Sequence, residues 1–484
     1  MTGSSPNKTG PGIDLTQGSI VKNLLRLSLP IMLANFIHTF YNLIDAFWLG
    51  KLGEGAKAAV SVTGIAFPLV FTLVSFGAGF GVAATALVAR FTGAGQPDRA
   101  RKTVGQLILI VVVFVAVFLI VGLTFMDQIM TFLHVPAEIF DMAGQYIRII
   151  VIGMAAMMVF MGYQSVAHGL GDTISPMIIS IVSVGLNVVL DPLMIFGVGF
   201  FPRMEVAGAA WATLISRVVG AVVAILFFMR RNREMIPERS DFVPDKVMLK
   251  NIFKIAIPAS IGQSVTSFGF LILQGFVNTF GTTVISTFAI GNRMTGIFMM
   301  PAMGISNALS SVIGQNLGAD NIKRAEESLK KAFILIMVIM GIGSGCIFLF
   351  GAQLTRFFID SPDVVAIGVR MFRVTSFASF IFGGMFVFMG VFNGSGQTGA
   401  SLRVNIGRLW LFRIPFVYIL SGRILDFPFI QHTFIAQFLS ILAKPLAAYP
   451  YDALWWSMVV SNSLATLWCY LIYRKGKWKT LKFE

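Results

Sequence analysis

Twelve stretches of the chain are apolar over about 20 residues or more, the length a helix needs to cross the hydrocarbon core of a bilayer. They fall near 24–48, 58–89, 104–125, 146–168, 174–196, 206–229, 252–277, 284–315, 332–352, 371–392, 402–422 and 453–473. No other feature limits the fold as severely. Backbone polar groups in hydrocarbon must be satisfied within their own segment, so such runs predict helices and an all-α integral membrane protein. The runs at 58–89 and 284–315 exceed one span and imply tilt or an extension beyond the bilayer. Composition agrees, because only 12% of the residues are charged, roughly half of the ~25% usual in soluble domains.

The net charge of +15 invites a nucleic-acid reading, but the basic residues lie in short clusters between the apolar runs. The clusters are "RFTGAGQPDRARK" (90–102), "RRNREMIPERSDFVPDKVMLK" (230–250), "NIKRAEESLKK" (321–331) and "RKGKWKTLK" (474–482). Opposite loops such as "FLHVPAEIFD" (132–141) and "IDSPD" (359–363) are poor in base. The positive-inside rule then predicts a cytoplasmic-membrane protein with both termini in the cytoplasm and no nucleic-acid partner. The polar first twenty residues lack the apolar core of a signal peptide. Cys346 and Cys469 lie in separate apolar runs and support neither a disulfide framework nor a cysteine metal site.

The chain also repeats itself. "RLSLPIML" (26–33) lies over "KIAIPASI" (254–261), "ARFTGAGQPDRARK" (89–102) over "GQNLGADNIKRAEE" (314–327), and "HGLGDTISP" over "NGSGQTGAS", at a constant offset of about 225–228 residues. Six helices per repeat make two pseudo-symmetric, parallel lobes. The expected division is a cytoplasmic segment 1–23, a first lobe 24–229, a basic linker 230–250, a second lobe 251–475 and a basic tail 476–484. Parallel repeats of this kind place a substrate path at their interface. The connection 423–452, with Pro428, Pro445 and Pro450, is unusually long, and no function is assigned to it.

Charge inside a membrane costs at least about 2.5–3.5 kcal/mol per group and usually marks a pathway or a coupling site. Two acids stand out: Asp45 in "YNLIDAFW" of the first span and Asp191 in "LNVVLDP" of the fifth. Both lie in the outer halves of spans running the same way, so they can share a depth. Asn187 and Asp191 are spaced i, i+4, on one helix face. Pro192 lacks an N–H, which frees the carbonyl of Val188. Tyr41 sits one turn before Asp45, and Thr213 of the sixth span offers a hydroxyl. Oxygen donors of this kind suit Na⁺ rather than a transition metal, and a proton is the alternative. The plainer reading is a local hydrogen bond ahead of a proline kink, with Asp45 at a helix end near water. In the second repeat, position 45 aligns with Leu273 and residues 187–191 with "FRIPF" (412–416), so the carboxylates are confined to the first.

Arg217, Arg293, Arg408 and Arg413 also fall in or near apolar runs, where arginines commonly snorkel or pair, and His38 reads as a packing residue. "MAAMMVFMGYQ" (154–164) offers a methionine-rich wall for a promiscuous apolar cavity, with Tyr163 and Gln164 as its polar members. "GAGFG" (77–81) is not preceded by a strand or followed by a lysine, and close helix packing accounts for it. No P-loop, HExxH or GxSxG pattern occurs, which argues against ATP-driven transport within this chain and against an intramembrane enzyme.

With twelve spans in two lobes, "P…YNLIDAFWLGKLG", "GDT…P", "LNVVLDP" and the final "LWWSMVVSN", the chain resembles the MATE (multidrug and toxic compound extrusion) transporters over nearly its whole length. The resemblance implies cation-coupled export of amphipathic, cationic organic compounds by alternating access, without a cofactor beyond H⁺ or Na⁺. It implies a monomer that is not an enzyme. In the DinF-like prokaryotic branch the first-lobe cation site maps onto Asp45, Asn187, Asp191 and Thr213. The substrate-contact candidates are Tyr41, Tyr163 and Gln164. The second-lobe acids of the NorM-like branch are missing from 264–276 and 382–392, which places coupling in the first lobe. A lipid-linked-oligosaccharide flippase of similar architecture is the rival, and it calls for arginines converging on a central groove.

Overall fold

The computed structural model describes residues 12–53, 56–132, 135–426, 441, 443–481 and 483, and these are almost entirely helical. The first repeat comprises α1 (Ile20–Gly50), α2 (Ala56–Gly93), α3 (Pro97–Thr124), the short α4 (Met126–Phe132), α5 (Phe140–Leu170), α6 (Ile174–Phe196) and α7 (Glu205–Arg231). The second comprises α8 (Lys246–Asn278), α9 (Thr282–Gly318), α10 (Ile322–Phe358) and α11 (Pro362–Gly394). It continues with α12 (Thr398–Ile406), a π-helical stretch Gly407–Arg413, α13 (Ile414–Leu420) and α14 (Ala453–Arg474). Ten of these helices, α1–α3 and α5–α11, contain stretches long and apolar enough to cross a membrane. The composite helix from Thr398 to Leu420 and α14 supply the eleventh and twelfth spans. The fold is therefore the all-α, twelve-span membrane architecture expected from the apolar runs.

The repeat is visible in the helix bounds, since α8 to α12 begin 222–226 residues after α1, α2, α3, α5 and α6. The sixth equivalent, α14, starts late because the connection after α13 intervenes. Part of that connection, 427–440 and 442, lies outside the described residues. The two long runs are single helices of 38 and 37 residues, roughly 55 Å each at 1.5 Å per residue.

Contacts divide the chain into two compact units. One is Met1–Ile257 with Gly314–Ile322 and Phe483–Glu484, and the other is Pro258–Ile313 with Lys323–Lys482. In the first, α2 packs on α5, α5 and α6 pack on α7, and α1 packs on α6. One apolar cluster there gathers Leu49, Ile147, Ile195 and Ala209. In the second, α11 packs on α14, and the core runs from Leu273 and Phe288 through Phe372 to Leu409 and Trp455.

Local chemistry sets the helix ends nearest the site. Asp172 accepts from the backbone N–H groups of Ile174 and Ser175 and from the Ser175 hydroxyl, so the "GDTISP" turn starts α6. Gly171 closes α5 in the left-handed region at φ 84°, a conformation that disfavours any side chain. The end of α9 belongs to the first unit. There Gln315, 1% exposed, accepts from Leu15 N at 3.1 Å and donates to Gly169 O at 3.0 Å, while Asn316 donates to Leu15 O. The backbones meet without side chains: a Cβ on Gly93 would stand 2.0 Å from the Gln315 carbonyl oxygen.

The linker 230–250 is an ordered strap. Gln106 of α3, fully buried, donates to the carbonyls of Asp241 and Val243 at 2.7 and 2.8 Å and accepts from Asp245 N. Arg101 binds Asp241 at 2.9 Å and Glu238 at 3.1 Å. The basic sum of the loop concealed the fact that its acids are what dock it.

Candidate functional site

α1, α6 and α7 pack side by side in the first unit and bring five predicted residues to one place. Asn187 and Asp191 are 2% and 0% exposed, and the Asn187 Nδ2 donates to Asp191 Oδ1 at 3.2 Å. That is the i, i+4 face read from the sequence. From α1, the Asp45 carboxyl lies near enough to Asp191 and to the Tyr41 hydroxyl for the three groups to act on one another. The Tyr41 hydroxyl lies 3.1 Å from Thr213 Oγ1 on α7. Three further oxygens, Asp45 Oδ1, Asn187 Oδ1 and Asp191 Oδ2, are buried without a hydrogen-bond partner.

An ionised carboxylate only accepts hydrogen bonds, so two carboxyls in contact require a shared proton or a cation between them. A buried acceptor left without a donor is costly. Two carboxylates, an amide oxygen and a hydroxyl form a hard oxygen donor set that fits H⁺ or Na⁺. Among the described residues no group of three or more His, Cys, Asp or Glu side chains gathers as a metal centre. One turn beyond the acids, Leu49 (i+4 from Asp45), Ile195 (i+4 from Asp191) and Ala209 (i−4 from Thr213) join in the apolar cluster, which closes that side of the oxygens.

Two residues extend the site. Arg217, one turn past Thr213 on α7, exerts its charge on Asp45, Tyr41 and His38, and its Nη1 lies 3.7 Å from Met154 Sδ. Tyr146 of α5 lies within electrostatic reach of Asp45 and Asp191, and the sequence reading missed it. The only signal was an aromatic hydroxyl near the start of the fourth span, about 100 residues from Asp45.

Tyr163 and Gln164 lie elsewhere. They fall 17 or more residues along α5 from Tyr146, about 25 Å at 1.5 Å per residue. Tyr163 packs edge-on against Phe228, and Gln164 is half-buried beside it. Tyr163 lines a cavity of about 330 Å³ with Phe76, Phe80, Phe114, Met158 and Met161, so part of the methionine-rich stretch does form a cavity wall. In the second unit Arg293 stands 5.8 Å from the Phe358 ring, while Arg408 and Arg413 are 4% and 3% exposed.

Comparison with known proteins gives a consistent result. A family profile described as MatE matches residues 30–193 and again 258–419, once in each repeat. A probable multidrug resistance protein of Bacillus subtilis, YpnP, is 28% identical over 84% of this chain and 90% of its own. A second from the same organism, YoeA, is 25% identical over 83% and 87%. A solved structure described as the outward-facing conformation of a multidrug resistance MATE family transporter superposes with a TM-score of 0.84. It is 25% identical and covers 98% of this chain and 100% of its own.

Proposed function

Because this chain belongs to the MatE family, we propose that it is a multidrug efflux transporter which exports amphipathic, mainly cationic organic molecules in exchange for H⁺ or Na⁺. It works in the cytoplasmic membrane, as a monomer, with both termini inside. The observation that carries the reading is the cluster of buried, unpartnered oxygens of Asp45, Asn187 and Asp191, with the Tyr41–Thr213 pair beside it. The relatives' names and the solved transporter support the efflux part.

The proposed mechanism is alternating access. An inward cation gradient loads Asp45 and Asp191, which favours one conformation, and substrate favours the other. Each must bind the two states with different affinity for coupling to arise. Apolar parts of the substrate fit the methionine- and phenylalanine-lined cavity, whose volume lies at the lower end of the roughly 300–1,000 Å³ range of small-molecule sites. Tyr163, with Gln164 beside it, supplies the polar contact there, and Tyr41 contacts substrate near the ion.

The test is efflux of a cationic dye from proteoliposomes under Na⁺ and H⁺ gradients imposed separately. One gradient drives efflux by the wild type, and Asp45→Asn and Asp191→Asn each abolish the response while the protein stays folded. Normal gradient-driven efflux by Asp191→Asn would overturn the coupling assignment, and no response of the wild type to either gradient would overturn cation-coupled transport.

A further inference from the structure

We propose that Arg408 and Arg413 form an oxyanion-binding subsite in the second unit, which takes a carboxylate or phosphate group of a transported amphiphile. Both side chains are almost fully buried, at 4% and 3% exposed. Arg408 lies ten residues from the start of the Thr398–Leu420 helix and Arg413 seven from its end, so both lie within the span and not at its ends, where arginines snorkel most easily. Neither forms an ion pair among the described residues. Arg408 lies 4.7 Å from the Phe382 ring and Arg413 5.6 Å from Phe270, which are their only aromatic contacts there.

The backbone brings the two together. Residues five apart on an α-helix point about 140° away from each other at 3.6 residues per turn. The π-helical stretch covers Gly407–Arg413, and its wider turn, with i→i+5 pairing, brings Arg413 much nearer to the Arg408 side of the helix. The two charges accordingly act on each other. Gly407 holds the turn against α14, where a Cβ would stand 2.1 Å from the Trp468 ring. Two like charges buried on one side of a helix in an apolar interior require an opposite one.

The second unit supplies none. Its only acids are Glu326, Glu327, Asp360, Asp363, Asp426 and Asp452, all near helix ends. Glu326 pairs with Lys479, Glu327 with Lys331 and Asp452 with Arg370. The Nε atoms of Arg408 and Arg413 are buried without partners. Their Nη atoms are not among the enclosed, unpartnered atoms and make no hydrogen bond among the described residues, so the guanidinium forks remain available. Such forks match the planar oxygens of carboxylate and phosphate. The repeat makes the point again: α6 carries Asn187 and Asp191, and its counterpart carries Arg408 and Arg413. Mid-helix depth suits a cargo group better than a headgroup at the interface.

Only the word "transported" rests on the efflux reading, and binding is measured without a gradient so that either can fail alone. The full chain in detergent is titrated with the fluorescent carboxylate 11-(dansylamino)undecanoic acid and with its neutral methyl ester. The wild type binds the acid more tightly than the ester. Arg408→Gln and Arg413→Gln each weaken acid binding by about tenfold or more, the effect of one charge-assisted hydrogen bond, and leave ester binding in place. Arg413→Lys retains an intermediate affinity. Thermal unfolding checks each variant, and the Lys variants carry the comparison if a Gln variant does not fold. Displacement by inorganic phosphate or by a short-chain anionic phospholipid supports the oxyanion chemistry and distinguishes a soluble anion from a lipid. Equal affinity for acid and ester in the wild type, or an undiminished preference in both Gln variants, would overturn the proposal.

Discussion

Asp191 lies in a span whose neighbours are mostly hydrocarbon, and its two oxygens have different surroundings. Oδ1 accepts from Asn187 at 3.2 Å, while Oδ2 is buried without a donor. Asn187 follows from helical spacing alone. Asp45 does not, because its contact with Asp191 joins residues 146 positions apart. Tyr41 ties the group to α7 through Thr213. Tyr41→Phe removes one hydrogen bond, worth about 1 kcal/mol. The ion concentration giving half-maximal efflux should shift by about fivefold, with thermal stability nearly unchanged.

At the scale of elements, the linker is the part that sequence conveyed least. Six basic residues in "RRNREMIPERSDFVPDKVMLK" read as a basic linker, yet Gln106 binds its backbone three times. Gln106→Ala leaves those groups unpaired and should cost about 1–3 kcal/mol, read as lower thermal stability and faster hydrogen exchange across 238–245. Asp245 also starts α8. Its carboxyl is held below the usual carboxylate range by the hydrogen bond from Lys102 and then by the backbone N–H groups of Met248 and Val247. A depressed folded value means the contribution is complete above the unfolded value of 3.8 and is lost as pH falls below it. Exchange across 246–248 should therefore rise below about pH 4, and Asp245→Asn should remove that dependence. The π-helical stretch was also not read. Pro415 withdraws an N–H just beyond it, but proline also tolerates an ordinary kink, so the turn type was not determined.

At the scale of the whole molecule, two copies of one helix order carry different chemistry. The family match falls once on each repeat, so the scaffold is shared. The mid-span acids Asp45 and Asp191 occur in the first repeat, and the buried Arg408 and Arg413 in the second. The proposed orientation puts the basic loops and both ends on the cytoplasmic side. Fusions of a fluorescent protein to either terminus should both fluoresce, and periplasmic phosphatase fusions there should both be inactive; the reverse pattern at either end would overturn it.

The spans, the repeat and the confinement of carboxylates to one lobe were determined by the sequence itself. Hydropathy and i, i+4 spacing are local quantities, and a bilayer tolerates few alternatives to a helix. Thr213 was a candidate hydroxyl by sequence and was tied to the acids by family resemblance, and Tyr146 was not reached at all. Helix packing decided that Asp45 approaches Asp191, that Tyr163 lines a cavity far along α5 from the acids, and that Arg408 and Arg413 fall within one π-helical stretch. Those relations depend on which faces of distant helices pack together and on a single change of helical pitch, and neither is written in any one stretch of the chain.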